Sequence, residues 1–476
     1  MNTTKTITIN PISRLEGHGK VTIHLNADGE AADARFHITQ FRGFEKFCEG
    51  RPFEEMPVIT QRICGICPVS HQLASAKACD AILGVGIPET AKKLRELIHM
   101  GQFIQSHALH FFYLASPDLL LGWDADPAGR NVAGVAGHSP ALALKGIRLR
   151  KFGQDIIQAL GGKKIHPVFA VPGGVASPLL KSDRDALLGR FAEAYETAYT
   201  ALDIIKEWTD RNQEQVKTFA NFASLYAGLV DKDGHLDLYD GKMRISGRER
   251  AVIREFDSNE YLKFIGEQVE PWSYLKFPFY KPHGYPDGCY RVGPLGRLNA
   301  ADSMGTPKAE TERKIFRGTY GGEWNGCTLL YHYTRLIELV YCLEKAENLL
   351  RDEQICNSEI RITADVKHKE GIGMIEAPRG TLIHHYTVDP HGAVQKVNLI
   401  VATGHNNIAM NRSIQLVARE YIHNGVVREG LLNRVEGAIR CYDPCLSCST
   451  HAAGPMALEI LIHDVSGRLV KELVRN

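Results

Sequence analysis

Four cysteines form two CxxC pairs near opposite ends of the chain, and their types and spacing suit a metal site. Cys64 and Cys67 stand in RICGICPVSH, and Cys445 and Cys448 stand in DPCLSCSTHAAG. Thiolates are soft ligands for nickel, iron, zinc and copper(I), and a CxxC turn directs two sulfurs at one centre. Four sulfurs that meet can also hold two metals by bridging. The pairs therefore predict a buried metal site.

A structural zinc is the plain alternative for two CxxC pairs. Zinc ribbons usually separate their pairs by about 15–20 residues, whereas these pairs lie almost a whole chain apart. Closing so long a loop costs on the order of 5 kcal/mol of chain entropy. The spacing therefore favours a site at the centre of a large core over a local zinc knuckle.

The sequence predicts an α+β fold, predominantly helical, to position these cysteines. Alternating residues near the N-terminus, with a turn at Asn26 to Gly29, predict a small opening sheet. Apolar spacing predicts long helices over 88–114, 182–219 (capped by Ser182) and 329–350, and shorter ones near 411–424 and 430–440. Strands are expected over 359–366 and in a hairpin around Asp389 to Gly392. Together they predict a core of long helices with small peripheral β-sheets.

Composition is that of an ordinary globular protein. The 476 residues are 44% hydrophobic and 23% charged, and the net charge of +1 gives no indication of a nucleic-acid partner. The N-terminus lacks a signal pattern and no apolar run approaches 18 residues, so we expect a cytoplasmic protein without a transmembrane segment.

The eleven cysteines are an odd number, which argues against a disulfide framework. Outside the two pairs they are expected to be buried small hydrophobes, namely Cys48, Cys79, Cys289, Cys327, Cys342, Cys356 and Cys441.

The motifs around the cysteine pairs carry a family resemblance. They include RLEGH at 14–18, RGFE at 42–45, HP at 166–167 and EAPRG at 376–380. With them, the whole chain resembles a nickel-iron hydrogenase large subunit. RGFEKFCEGRP, SHALHFFYLASPD and DPCLSCSTHAAG are most similar to the cytoplasmic NAD-reducing, bidirectional type. The resemblance implies that type's large-subunit fold and reversible oxidation of dihydrogen.

The resemblance implies roles for the four sulfurs and for one carboxylate. All four cysteines would bind nickel, and Cys67 and Cys448 would also bridge to an iron that carries cyanide and carbon monoxide. Glu16 of RLEGH matches the family's proton-relay carboxylate beside a terminal cysteine. Taken without its motif, Glu16 would be interpreted as a surface glutamate in a turn.

Further residues would surround the metals by the same resemblance. Arg379 of EAPRG would lie over them, paired with Asp118 of ASPD, and Asp443 would lie in the same outer layer; an ordinary buried ion pair is the alternative for Arg379. Contacts to the cofactor or its sulfurs are expected from Pro378, Ala402, Thr403 and His71, with a plain core histidine as the alternative for His71. The chain departs from the commoner family pattern at Ala402, where proline is usual, and at His405, where tryptophan is usual.

A second metal site, usually magnesium, is implied behind the first. Its matching groups are the Glu45 carboxylate, the backbone carbonyl of Leu399 and the His451 side chain. Oxygen ligands suit magnesium, although a histidine also fits iron or zinc. Three other histidines are expected to be core residues, with a proton route as the alternative: His107, His110 and His166.

The tail beyond His451 resembles an extension that a dedicated endopeptidase removes after nickel insertion. Residues 1–451 would then form one catalytic domain, and 452–476 would be lost by cleavage between His451 and Ala452. Residues around Ser466-Gly467 alternate like two strands, so a permanent C-terminal hairpin is the alternative.

The resemblance implies several partners. These are a small subunit with iron-sulfur clusters, diaphorase subunits with FMN, iron-sulfur clusters and NAD, and maturation factors with the endopeptidase. This chain has no GxGxxG or Walker loop, so we expect no flavin, NAD or iron-sulfur cluster on it. Alternative interpretations are a hydrogenase with a deazaflavin or polysulfide acceptor and a hydrogen sensor. A respiratory quinone-site subunit is excluded because it has lost the cysteine pairs.

Overall fold

The computed structural model describes residues 5–247, 249–451, 458–464 and 466–475. Its strands form small separate sheets. They are β1 Lys5–Ile9, β2 Gly19–Leu25, β3 Ala31–Ile38, β4 Ala170–Val171, β5 Gly174–Val175, β6 Leu225–Val230, β7 Lys242–Ser246, β8 Val252–Phe256, β9 Ile265–Gln268, β10 Phe277–Tyr280, β11 Tyr290–Arg291, β12 Glu370–Ala377, β13 Gly380–Val388, β14 Val394–Ile400, β15 Leu458–His463 and β16 Leu469–Arg475.

Helices make up most of the described chain. They are α1 Phe44–Cys48, α2 Met56–Thr60, α3 Pro68–Leu83, α4 Glu89–Leu109, α5 Val132–His138, α6 Pro140–Gly161, α7 Lys181–Leu188, α8 Phe191–Arg211, α9 Gln213–Thr218, α10 Tyr261–Phe264, α11 Gly293–Ala300, α12 Pro307–Tyr320, α13 Tyr331–Arg351, α14 Ala402–His405, α15 Asn407–Tyr421, α16 Glu429–Cys441 and α17 Leu446–Ser449. Two π-helical segments, His110–Ala115 and Pro117–Leu121, extend α4. The predicted α+β, predominantly helical class is confirmed.

The sheets are antiparallel where they position the site. β1, β2 and β3 form the predicted N-terminal sheet, and β12, β13 and β14 form a meander whose second hairpin lies where Asp389 to Gly392 predicted it. β12 lies directly on α3, and Gly373 permits this approach because a Cβ there would lie 1.9 Å from the carbonyl oxygen of Ala74. The meander is therefore fixed against the helix that begins at the first cysteine pair.

Helix α3 begins and ends where its sequence directs. Pro68 occupies a first-turn position, where its missing N–H costs nothing, and Gly84 ends the helix with a left-handed φ of 62°. Almost every side chain between them is buried, so α3 is a central helix. A cluster of buried apolar side chains extends around it from Ile7 to Cys448.

Two predicted elements are wrong. The run 182–219 is three helices, α7 to α9, and Ser182 lies inside α7 while Leu180 occupies the cap. Residues 359–366 alternate like a strand, but they are mostly exposed and make one isolated bridge, between Arg361 and Gly174. Alternation alone does not supply a partner strand, so the strand begins only at Glu370.

Six of the seven remaining cysteines are buried as expected, and Cys356 is partly exposed. Within the described ranges, no helix is both long and apolar enough to cross a membrane. Neither finding tests the expectation that residues 1–451 form one catalytic domain, which stays a prediction.

Candidate metal centre

The two cysteine pairs converge on one point. The Sγ atoms of Cys64 and Cys445 lie 3.2 Å apart, those of Cys67 and Cys448 lie 3.3 Å apart, and those of Cys445 and Cys448 lie 2.7 Å apart. All four ligand atoms fall within 4.8 Å of one another, and all four residues are buried. The backbone N–H groups of Ile66 and Cys67 donate to the Cys64 sulfur, which holds the first CxxC turn in shape.

The four thiols are crowded and hydrogen-bond one another. Burial raises the pKa of Cys448 and Cys445 well above the ordinary thiol value, whereas hydrogen bonds from Cys445 and its neighbours lower the pKa of Cys64. Metal ligation requires thiolates, so a metal cation that binds here displaces the thiol protons. The cation also relieves the crowding of the four sulfurs. The donor set of four buried sulfurs fits a soft transition metal and excludes magnesium or calcium.

Arg379 lines the cavity beside the cysteines and is almost fully buried. Its Nε donates to the Asp443 carbonyl oxygen at 2.5 Å, and its Nη2 lies 3.1 Å from the Asp443 carboxylate. Burial alone would lower the pKa of Arg379, but Asp443 and the neighbouring cysteines raise it overall. The guanidinium is therefore a permanent positive charge beside the sulfurs.

Asp118 does not pair with Arg379, so that expectation is wrong. Its carboxylate instead forms ion pairs with Arg14 at 2.6 Å and with Arg440. The reason is position: Asp118 lies in the π-helical segment Pro117–Leu121, which faces α16, while Asp443 follows α16 directly and reaches Arg379.

The backbone that carries Arg379 is held by a buried arginine that sequence reasoning missed. Arg297 donates both to Glu338 and to Glu376, and its remaining N–H groups bond the carbonyl oxygens of Ala377 and Pro378. All five guanidinium donors are thus used at a fully buried site. The GPLGR segment at 293–297 was the available sequence signal, but its long-range partners were not visible in it.

Glu16 lies beside a terminal cysteine. Its Oε2 atom is 3.0 Å from the Cys445 sulfur and accepts a hydrogen bond from the Ser447 backbone N–H at 3.0 Å. The backbone of Glu16 also bridges to Cys445 in parallel, so side chain and main chain fix the same approach. Glu16 is partly exposed, which puts its carboxylate between the buried cysteines and the surface.

A small cavity opens over the cysteines. It is lined by the residues expected to contact a cofactor, and the full lining is Cys67, His71, Ala377, Pro378, Arg379, Leu382, Val401, Ala402, Thr403, Cys445 and Cys448. The Thr403 hydroxyl oxygen accepts from the Cys445 backbone N–H at 2.9 Å. The cavity therefore joins sulfur, arginine and hydroxyl groups over one small volume.

Behind His71 lies a hydrogen-bonded chain that the sequence analysis also missed. His71 Nδ1 lies 3.1 Å from His384 Nε2, and His384 Nδ1 lies 2.6 Å from the Tyr386 hydroxyl, which donates to Ser75. Burial lowers the pKa of His71 to about 4, so its ring is neutral at pH 7. The i, i+2 spacing of His384 and Tyr386 on β13 was the signal for a shared face.

His405, the unusual residue of this chain, is a buried neighbour of Tyr290. Its Nδ1 lies 2.5 Å from the Tyr290 hydroxyl, and burial lowers its pKa to about 3. A neutral hydrogen-bonded ring thus fills the position where the resemblance leads us to expect tryptophan.

Glu45, Leu399 and His451 meet at a second place. Glu45 Oε1 accepts from the Leu399 backbone N–H at 2.8 Å and lies 3.0 Å from His451 Nδ1. Burial would raise the pKa of Glu45, but the His451 hydrogen bond lowers it overall, so the carboxylate is ionised. Glu45 therefore contacts both of the other residues expected at the second metal site.

The three further histidines differ in burial. His107 bonds Glu338 and His110 bonds the Arg440 carbonyl oxygen, and both are fully buried as expected of core residues. His166 is partly exposed, so the core prediction is wrong for it.

The site is that of a metalloprotein: four buried cysteines that can bind a transition metal lie beside a buried arginine and a partly exposed carboxylate. Comparisons with known proteins give the family. A model of the family described as nickel-dependent hydrogenase matches residues 42–129 and 238–451, and one described as HoxL-like matches residues 6–41.

Two curated relatives span most of the chain. The NAD-reducing hydrogenase HoxS subunit beta of Cupriavidus necator is 42% identical and covers 98% of this chain and 99% of its own length. A vhu-type F420-non-reducing hydrogenase subunit of Methanocaldococcus jannaschii is 50% identical and covers 87% of this chain and 98% of its own length.

A solved structure agrees. The NAD+-reducing [NiFe]-hydrogenase in the H2-reduced state superposes with a TM-score of 0.92 at 48% identity, over 94% of this chain and 100% of that chain. The chain therefore belongs to the nickel-dependent hydrogenase family and has the nickel-iron hydrogenase large-subunit fold. It is a nickel-iron hydrogenase that oxidises dihydrogen reversibly, and its four-cysteine site fits a nickel-iron pair.

Proposed function

We propose that this chain is the catalytic subunit of an NAD-reducing hydrogenase complex. The observation that carries the proposal is the buried four-sulfur cluster facing a cavity lined by Arg379. The similarity to NAD-reducing relatives over nearly the full chain supports the acceptor.

In this proposal the four cysteines would hold nickel, and Cys67 and Cys448 would also bind an iron that carries cyanide and carbon monoxide. Both bridging candidates line the cavity, as does Cys445. Small anionic ligands in this cavity would meet a permanently charged guanidinium and the Thr403 hydroxyl. Pro378 and Ala402 would supply its apolar walls.

When bound, the metal pair supplies a Lewis-acidic centre at which dihydrogen is split heterolytically. The chain's own task is to remove the proton. Glu16 is suited to it because its carboxylate contacts the Cys445 sulfur directly and also approaches the surface. Arg379, held by Asp443, would stabilise negative charge that develops in the cavity.

We also propose a magnesium ion at Glu45, the Leu399 carbonyl and His451. The ionised Glu45 carboxylate, which contacts the Leu399 backbone N–H and the His451 ring, supports a cation there. His451 Nδ1 contacts Glu45, which leaves Nε2 as the ring nitrogen available to the ion.

Maturation by C-terminal cleavage after His451 belongs to the same proposal. The match to the hydrogenase family ends at residue 451, which supports a boundary there. Ala452 and the five residues after it lie outside the described residues, and β15 and β16 pair as an antiparallel hairpin beyond them. The endopeptidase and the maturation factors stay predictions.

The partners follow from electron flow. Electrons that leave the metal site would pass to an iron-sulfur small subunit and then to diaphorase subunits with FMN and NAD. NAD would bind on those subunits because we find no dinucleotide motif in this chain. Supply of NAD from the cytoplasmic pool would place the complex in the cytoplasm. The 50% identical relative that does not reduce F420 keeps a second candidate open, a complex with an acceptor other than NAD.

The acceptor is tested on the complex purified through an affinity tag on this chain. Under hydrogen, we expect reduction of both benzyl viologen and NAD+. Reduction of the viologen alone would reject NAD as the acceptor and favour the second candidate. Reduction of neither by a metal-loaded complex would contradict the catalytic role itself.

A further inference from the structure

The Asp118 carboxylate lies in a buried cluster away from Arg379. Its Oδ1 atom accepts from Arg14 Nη2 at 2.6 Å and from Asn433 Nδ2 at 3.0 Å, and its Oδ2 atom accepts from Arg440. Burial would raise the pKa of Asp118, but the two arginines lower it overall, so the carboxylate is ionised. The cluster ties the N-terminal segment to α16.

The same N-terminal segment has a second attachment to α16. The Ser13 backbone N–H donates to Glu436 Oε1 at 2.7 Å, and the Ser13 hydroxyl donates to Oε2 at 3.2 Å. Arg14 Nη1 also donates to the Leu114 carbonyl oxygen at 2.9 Å. Contacts from Asp118, Glu436 and Leu114 therefore hold residues 13 and 14, which lie just before Glu16.

The backbone is strained at Arg14, and it passes close to the second cysteine pair at Gly17. Arg14 has a φ of 55°, in the left-handed region that non-glycine residues rarely adopt. Gly17 has a φ of 92°, and a Cβ there would lie 2.7 Å from the Cβ atom of Leu446. Such a conformation persists only when its surroundings hold it, and Asp118 is the charged group that binds the Arg14 side chain.

We propose that Asp118 is a positioning residue for proton transfer, because through Arg14 it holds the Glu16 carboxylate against the Cys445 sulfur. The inference rests on the proposed proton-accepting role of Glu16. This role differs from that of the residues around Arg379, because Arg379 is held by Asp443 and Ser106 and not by Asp118. A misplacement of about 1 Å at a reacting group can cost on the order of 100-fold in rate.

The test is Asp118→Asn in the complete complex, with exchange of deuterium between D2 gas and water protons as the readout. We expect exchange to fall about 10- to 100-fold. Nickel and iron content and the cyanide and carbonyl stretching bands should stay those of the parent. Asp80→Asn is the matched control, because Asp80 is also a buried carboxylate paired with a buried arginine, Arg95. It should leave exchange unchanged.

Undiminished exchange in Asp118→Asn would overturn the inference. So would slowed exchange together with shifted cyanide bands, since these would mean that Asp118 acts on the metal ligands. If Asp118→Asn does not load metal, Arg14→Lys decides, because it keeps the cation but loses the forked contacts: a loaded variant must exchange slowly. Glu16→Gln separates the two proposals, since full exchange in that variant would remove the role of Glu16 itself.

Discussion

Glu16→Gln is expected to lower hydrogen oxidation and D2–water exchange on the order of 100-fold or more, the usual contribution of a general base. The amide has the size and shape of the carboxylate, and its oxygen can still accept from the Ser447 N–H. It cannot take up a proton at pH 7. The loss should therefore appear in proton-dependent steps, with metal content unchanged.

Glu96→Gln is the control for this prediction. Glu96 is a part-buried carboxylate on α4 that pairs with Lys345 at 3.1 Å. Among the contacts of the described residues, none joins Glu96 to the four cysteines. Parent-like exchange in Glu96→Gln beside lost exchange in Glu16→Gln assigns the effect to the Cys445 contact. Equal exchange in both variants would disprove the assignment.

Cys448→Ser is expected to abolish activity through loss of the metals. The Cys448 sulfur contacts both Cys445 and Cys67, so it joins the two halves of the cluster. A serine hydroxyl is a hard, protonated group, and a lost ligand should lower metal affinity by more than about 100-fold. Metal analysis of the purified complex is the measurement.

Cys79→Ser is the matched control for the cysteine variant. Cys79 is also fully buried, and its Sγ donates to the Phe53 carbonyl oxygen at 3.2 Å, a bond that serine can make. It should retain parent-like nickel. If Cys448→Ser keeps full nickel and activity, the four-sulfur centre is the wrong assignment.

The parts of the site that the sequence predicted are those carried by contiguous motifs. Cys64 and Cys67 are three residues apart, so a single turn brings their sulfurs together. Long apolar periodicity likewise predicted α4 and α13 within a few residues of their observed ends.

The parts that failed depend on which distant groups meet. Several aspartates can neutralise a buried arginine, and only packing decides that Asp443 reaches Arg379 while Asp118 reaches Arg14. The Arg297 contacts are of the same kind. The helix breaks near Gly189 and Asn212 were missed for another reason, since the helical period continues through them.

A nickel-iron pair on the four buried cysteines can be detected by metal analysis and infrared spectroscopy of the purified complex. We predict equimolar nickel and iron, with the stretching bands of cyanide and carbon monoxide. Zinc alone, without these bands, would contradict the account and make the two CxxC pairs a structural zinc site.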